Sequence, residues 1–122
     1  MATVLLIEDE KDSLEVLTWW FEGKGYDVVS SSSGQQAVEL GTRCLPDLVV
    51  SDYFLGDDLT GVDVIAALRR HLPDLPAVLV TGMFKVATPG LDEGPRVPVL
   101  RKPFSFSDLK AAIASQLTFP PH

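Results

Sequence analysis

The chain has 122 residues, ten basic against seventeen acidic for a net charge of −7, and an apolar fraction of 46%, which suits one soluble domain with one core. That acidity argues against direct contact with nucleic-acid phosphates, which needs clustered Lys and Arg, and suits a cation site or a basic protein partner. No apolar run approaches the roughly 20 residues that span a bilayer, Met1 leads straight into a strand and not a signal segment, and the lone Cys44 excludes an intramolecular disulfide and fits a reducing cytoplasm.

Thr3 to Ile7 is a continuous apolar strand that runs into Glu8-Asp9-Glu10. A helix follows from about Lys11 to Lys24, closed by Gly25, with Leu14, Leu17 and Phe21 on its core face. Val16, Trp19 and Trp20 fall away from that face. Tyr26 to Ser30 reads as a weaker, edge strand. Ser33-Gly34-Gln35-Gln36 has capping-box spacing for a helix through roughly Thr42. Leu48 to Val50 is a short buried strand with Pro46 before it. It ends at Asp52, where open α/β sheets place their ligands, and Gly56-Asp57-Asp58 forms an acidic turn beyond.

Gly61 to Leu72 predicts a third helix, with Val64, Ile65, Leu68 and Leu72 on one stripe, ended before Pro73. Ala77 to Val80 is a fourth strand running into Thr81-Gly82, and Val97 to Leu100 a fifth running into Arg101-Lys102-Pro103. Ser105 to Asp108 caps a last helix through about Leu117, and Phe119 to His122 forms a short tail. Strands alternating with helices over short connections predict a parallel, doubly wound sheet with helices on both faces. The rhythm breaks once. Between Phe84 and Arg96, Pro89, Gly90, Gly94 and Pro95 interrupt the expected fourth helix, at roughly 1 (Gly) to 3 (Pro) kcal/mol each, so it should be short or frayed.

The chemically loaded residues all sit just after strands: Glu8 and Asp9, Asp52, Thr81 and Lys102. In a parallel sheet these ends share one edge. Taken singly, each has a plain structural explanation, as helix-dipole partner, turn residue, strand end or solvated charge. Together they form a set that chance does not readily produce. Three carboxylates there would repel by about 4 kcal/mol per pair at about 4 Å and an effective dielectric near 20. A hard divalent cation with oxygen ligands, Mg²⁺ above all, is the natural compensation, and Lys102 offers a second positive charge. Thr81 adds a hydroxyl, and Gly82 leaves space for a bulky group. A carboxylate so placed is equipped to become an acyl phosphate.

Leu5-Leu6-Ile7-Glu8-Asp9, Leu48-Val49-Val50-Ser51-Asp52-Tyr53, Leu59-Thr60-Gly61, Val80-Thr81-Gly82 and Leu100-Arg101-Lys102-Pro103-Phe104 resemble the receiver domain of two-component response regulators, over residues 1–122 as a single domain. The resemblance implies a flavodoxin-like, five-stranded sheet of order 2-1-3-4-5. It implies that Asp52 is the phosphoacceptor, supplied by a histidine kinase or histidine phosphotransfer protein. Glu8 (through water), Asp9, Asp52 and the Phe54 carbonyl would surround Mg²⁺, while Thr81, Gly82 and Lys102 would hold the phosphoryl group. Pro103 would follow a cis bond that aims Lys102 inward. Val16, Trp20 and Phe104 would take part in docking the histidine-bearing helix. Trp19 would join them or pack against the last helix or the tail around Phe119. Phe54 and Met83 flank the path of a hydrolytic water and cannot orient it, which implies slow self-dephosphorylation.

Such a domain works as a phosphorylation switch or phosphate shuttle and is not an enzyme acting on other molecules. A cytoplasmic monomer or weak dimer is expected, either free-standing or as the receiver of a hybrid kinase, without nucleic-acid or membrane contact. Two features depart from the family pattern. Val99 stands where the switch aromatic is usual, and the fourth helix is broken. Among rivals, a flavodoxin-type carrier would need a phosphate loop where Glu8-Asp9-Glu10 stands, and a haloacid-dehalogenase-type phosphatase a second acid where Phe54 stands. A phosphorylation-independent binding module is the remaining alternative, disfavoured because no site residue is missing.

Overall fold

The computed structural model describes residues 2–83, 85–91 and 94–117. In chain order the elements are β1 (Thr3–Ile7), α1 (Lys11–Gly23), β2 (Asp27–Ser31), α2 (Gly34–Cys44), β3 (Leu48–Asp52), α3 (Gly61–Arg69), β4 (Ala77–Thr81), β5 (Val99–Arg101) and α4 (Phe106–Leu117). The five strands are all parallel in the order β2-β1-β3-β4-β5, the 2-1-3-4-5 flavodoxin-like arrangement. Among the described residues no helix is long and apolar enough to cross a membrane.

The apolar runs of β1, β3 and β4 are continuous because both faces of the sheet are covered. Side chains alternate between two cores. Leu5, Ile7, Val49, Ala77 and Leu79 pack with Ala37 of α2 and Val62, Ile65 and Leu68 of α3. Val4, Leu6, Leu48, Val50, Val78 and Val80 face the other way, onto Leu17 and Phe21 of α1 and Leu109, Ala112 and Ile113 of α4. The outer strands β2 and β5 are only partly covered, in keeping with the weak hydrophobic pattern of the segment after Tyr26.

Polar punctuation sets the helix ends. Ser33 Oγ accepts from the Gln36 N–H at 3.2 Å to start α2. Thr60 and Asp63 form a reciprocal capping box on α3, and Ser105 and Asp108 exchange the same two bonds before α4. Gly25, at φ +92°, provides the left-handed residue that closes α1. Regular α3 stops at Arg69, short of the Leu72 that periodicity suggests, and continues to Leu72 only as turns.

The connection from β4 to β5 departs furthest from the pattern. Among its described residues there is no helix at all, where a short or frayed one is expected. Gly90 and Gly94 adopt φ of +83° and +86°, a backbone that an α-helix excludes. Side chain to backbone bonds hold the segment instead. The Arg69 guanidinium, buried, donates to the Leu75 carbonyl through Nε and Nη2 and to the Pro95 carbonyl at 2.9 Å. The Tyr53 hydroxyl donates to the Ala87 carbonyl at 2.9 Å. Phe84, where that helix was expected to begin, and the tail from Phe119 to His122 lie outside the described residues.

One glycine ties α3 to the sheet. A Cβ on Gly61 would lie 2.3 Å from the Asp52 carbonyl oxygen and 2.8 Å from both Leu79 Cδ2 and Ser51 Oγ, so the helix starts directly against the end of β3. Gly61→Ala is therefore expected to cost about 2–3 kcal/mol through overpacking. Gly23→Ala, with nothing within 4 Å, should be neutral or stabilise by up to about 1 kcal/mol. Urea denaturation of the two variants beside the native chain measures both, and equal effects would refute the close-approach argument.

Candidate functional site

Because all five strands run the same way, their carboxyl ends meet at one edge. Glu8 and Asp9 follow β1, Asp52 is the last residue of β3, Thr81 the last of β4, and Lys102 follows β5. The Glu8 N–H donates to the Ser31 carbonyl at 3.1 Å, continuing the β1–β2 pairing just past the regular strand. The Tyr53 N–H donates to the Val80 carbonyl at 2.8 Å and the Lys102 N–H to the Thr81 carbonyl at 2.7 Å. The site residues are thus held by extensions of the sheet.

Carboxylate oxygens of Glu8, Asp9 and Asp52 lie within 4.8 Å of one another. Glu8 and Asp52 are buried at 2% and 8% exposure, while Asp9 is open to solvent. Lys102 Nζ stands 3.1 Å from Asp52 Oδ1 and 3.6 Å from Glu8 Oε1. The Lys102–Pro103 peptide bond is cis. Burial pushes the Asp52 carboxyl up to about 8, and neighbouring Glu8 adds to this, while Lys102 pulls the other way. The Lys102 ammonium is opposed by its own partial burial, but Asp52 and Glu8 outweigh that and raise its pKa.

One ammonium therefore does not offset the whole cost of gathering these acids. The donor set, three hard carboxylate oxygens at the mouth of a buried edge, fits a small divalent cation such as Mg²⁺. Thr81 Oγ1 accepts from the Met83 N–H at 3.1 Å, which orients the hydroxyl at the same edge. A Cβ on Gly82 would meet nothing within 4 Å, so the space beside Thr81 is open. Phe54 and Met83 are exposed at 58% and 48%.

Beside the acids runs a groove of about 610 Å³, lined among others by Ser13, Val16, Leu17, Pro103, Phe104 and Phe106. Val16 and Phe104 therefore share one surface. Trp20 does not line it. Its ring stacks on Phe106 at 5.4 Å and meets Phe21 edge-on at 5.0 Å, so much of its area serves the contact between α1 and α4. Trp19 is 71% exposed. Two neighbours escape a reading based on strand ends: Ser51, whose buried hydroxyl donates to the Asp52 carbonyl at 2.8 Å, and Tyr53. Flanking the acid on either side is the only sequence signal they carry.

The raised Asp52 pKa has a consequence for stability. Between the unfolded value of about 3.9 and about 8, the folded chain binds more protons than the unfolded one, so in the absence of a cation stability falls as pH rises. Asp52→Asn removes that penalty. The variant should exceed the native chain by on the order of 2 kcal/mol at about pH 8, with the gap closing toward about pH 4. Chemical denaturation in chelator across that range checks it, and a gap independent of pH would refute it.

Comparison with known proteins agrees with this geometry. The response regulator receiver domain family matches residues 4–114. The alginate biosynthesis transcriptional regulatory protein AlgB of Pseudomonas aeruginosa is 37% identical over 93% of this chain and 25% of its own length. The response regulator SaeR of Staphylococcus aureus is 27% identical over 97% of this chain and 51% of its own. The chain thus spans between a quarter and about half of these curated relatives. A receiver domain protein from Clostridium thermocellum superposes with a TM-score of 0.83 at 26% identity, covering 96% of this chain and 94% of that one. The non-phosphorylated HemR receiver domain of Leptospira biflexa gives 0.83 at 25% identity over 100% and 99%. With the family matched across nearly its whole length and the acids and lysine gathered at one sheet edge, this chain belongs to the receiver domains of two-component response regulators.

Proposed function

We propose that Asp52 is the phosphoacceptor of a phosphorelay and takes its phosphoryl group from a phosphohistidine on a histidine kinase or phosphotransfer protein. The observation that carries this reading is the contact of Lys102 with Asp52 at 3.1 Å inside the group formed with Glu8 and Asp9. An Asp52 carboxylate oxygen attacks phosphorus, the new O–P bond forms as the P–N bond breaks, and the electron pair leaves on the imidazole nitrogen. Lys102 neutralises charge on the phosphoryl oxygens, and Thr81 reorients its hydroxyl toward them. Glu8, Asp9, Asp52 and the Phe54 carbonyl would hold Mg²⁺. Bound there, the cation supplies positive charge that keeps Asp52 ionised and screens the incoming phosphoryl group from the carboxylates.

The donor helix would lie in the groove between α1 and the loop after β5, meeting Val16 and Phe104 with Trp20 bracing Phe106. Labelling by acetyl phosphate with Mg²⁺ should modify the native chain, and neither Asp52→Asn nor the native chain in chelator. Val16→Asp should retain that small-molecule labelling while transfer from a phosphohistidine protein slows about tenfold or more, as expected for a charge placed in an apolar contact. Full labelling of Asp52→Asn would overturn the acceptor, and unchanged protein-to-protein transfer in Val16→Asp the docking face.

Phe54 and Met83, each two residues past a strand-end residue of the site and exposed, offer no strong hydrogen bond to an attacking water. A long-lived phosphoryl group follows. Phe54→Asn with Met83→Glu should hasten its loss at least severalfold, read by the decay of labelled protein after donor removal. Decay no faster than native would refute the shielding.

A further inference from the structure

The loop that follows β3 is held at both base and tip. At its base Phe54 and Thr60 form an isolated antiparallel bridge, and the Gly61 N–H donates to the Tyr53 carbonyl at 2.8 Å. At its tip the Asp57 carboxylate crosses to α2. Its Oδ1 accepts from the Gly34 N–H at 3.1 Å and its Oδ2 from the Gln35 N–H at 2.9 Å.

These are the first two amides of α2, which no turn of the helix can satisfy. Ser33 takes the next one, so α2 is capped jointly by its own Ser33 and by a residue 22 to 23 positions away. The two amide bonds, that of Gln35 first, hold the Asp57 carboxyl below the usual carboxylate range. Packing agrees with the hydrogen bonds. A Cβ on Gly34 would lie 2.7 Å from Leu59 Cβ and 3.3 Å from Leu55 Cδ1, too close for a larger residue while the loop stays seated. A Cβ on Gly56 would come 4.0 Å from Asp9 Oδ2, so the same loop runs beside the acidic cluster. Asp57 itself is not one of the clustered carboxylates.

We propose that Asp57 is a positioning residue for the cation and phosphoryl site, tying the loop tip to the N-terminus of α2 and thereby fixing the Phe54 backbone beside Glu8, Asp9 and Asp52. The proposal rests on the phosphoacceptor reading above. Mg²⁺ demands near-ideal octahedral ligands, so spread in one backbone carbonyl is paid in affinity, and supporting contacts of this kind typically matter 10–100-fold.

The test compares two ways of uncapping the same helix. Ser33→Ala removes a cap of α2 without touching the loop; Asp57→Ala removes a cap and frees the loop. With MgCl₂ titrated calorimetrically into the whole chain, Asp57→Ala should raise the Kd about tenfold, Asp57→Asn less, and Ser33→Ala not at all. Labelling of Asp57→Ala by acetyl phosphate should slow at low Mg²⁺ and recover at saturating Mg²⁺. Native Mg²⁺ affinity in Asp57→Ala, or equal weakening by Ser33→Ala, would overturn the proposal. Should Asp57→Ala fail to fold, Asp57→Asn against Ser33→Ala decides by the same criterion. A native chain that neither binds Mg²⁺ nor is labelled would instead overturn the phosphoacceptor reading beneath it.

Discussion

The Asp52 carboxylate sits almost out of water beside a second buried acid, with one ammonium 3.1 Å away. That arrangement costs folding energy and is stable only because the rest of the domain over-determines it. Asp52 is the last residue of a strand whose five residues are all buried. Glu8 is held by a backbone bond to Ser31, and Lys102 by one to Thr81. Two packed faces of apolar side chains hold those strands in register. The gathered negative charge is what suits the site to a cation, because positive charge relieves a repulsion that burial has made expensive.

The region beyond β4 is built by different means. A helix would have satisfied its own backbone. The Pro- and Gly-rich segment does so only in part, as in the bond from the Leu91 N–H to the Thr88 carbonyl, and side chains of neighbouring elements take up further carbonyls. Arg69 of α3 reaches the Pro95 carbonyl, and Tyr53 after β3 reaches the Ala87 carbonyl. The neighbour of Asp52 is therefore bonded to the same connection that begins at Thr81 and Met83. Val99, 40% exposed on the edge strand, has no hydroxyl with which to join such a network. In this chain the polar link between the acid-bearing strand and the β4–β5 connection runs through Tyr53.

Charge is distributed to match. The acids that follow β1 and the acidic turn after β3 lie toward the site, and one of them, Asp57, has its charge taken up by helix amides. A residue of the same type as Asp9 and Asp52 thus serves the helix dipole and not the carboxylate cluster. Which carboxylate does which task is a matter of what the backbone presents to it.

Sequence alone determined the element order outside the β4–β5 connection, the parallel sheet, the two-faced burial and the identity of Glu8, Asp9, Asp52, Thr81 and Lys102 as strand-end residues, because these follow from local hydrophobic period and from chain direction. Element ends were less legible: α3 stops at Arg69 and β5 begins at Val99, since the last turn of a helix and the first residue of an edge strand depend on tertiary partners. Only the tertiary structure decided that the interrupted connection is held by Arg69 and Tyr53, that Trp20 stacks on Phe106 and so braces α4, and that Asp57 caps a helix 22 residues earlier. Each of these is a long-range contact of a side chain whose local pattern is that of any turn acid, surface aromatic or helix arginine. No periodicity along the chain encodes such a partner, because the partner is set by which elements the sheet order brings side by side.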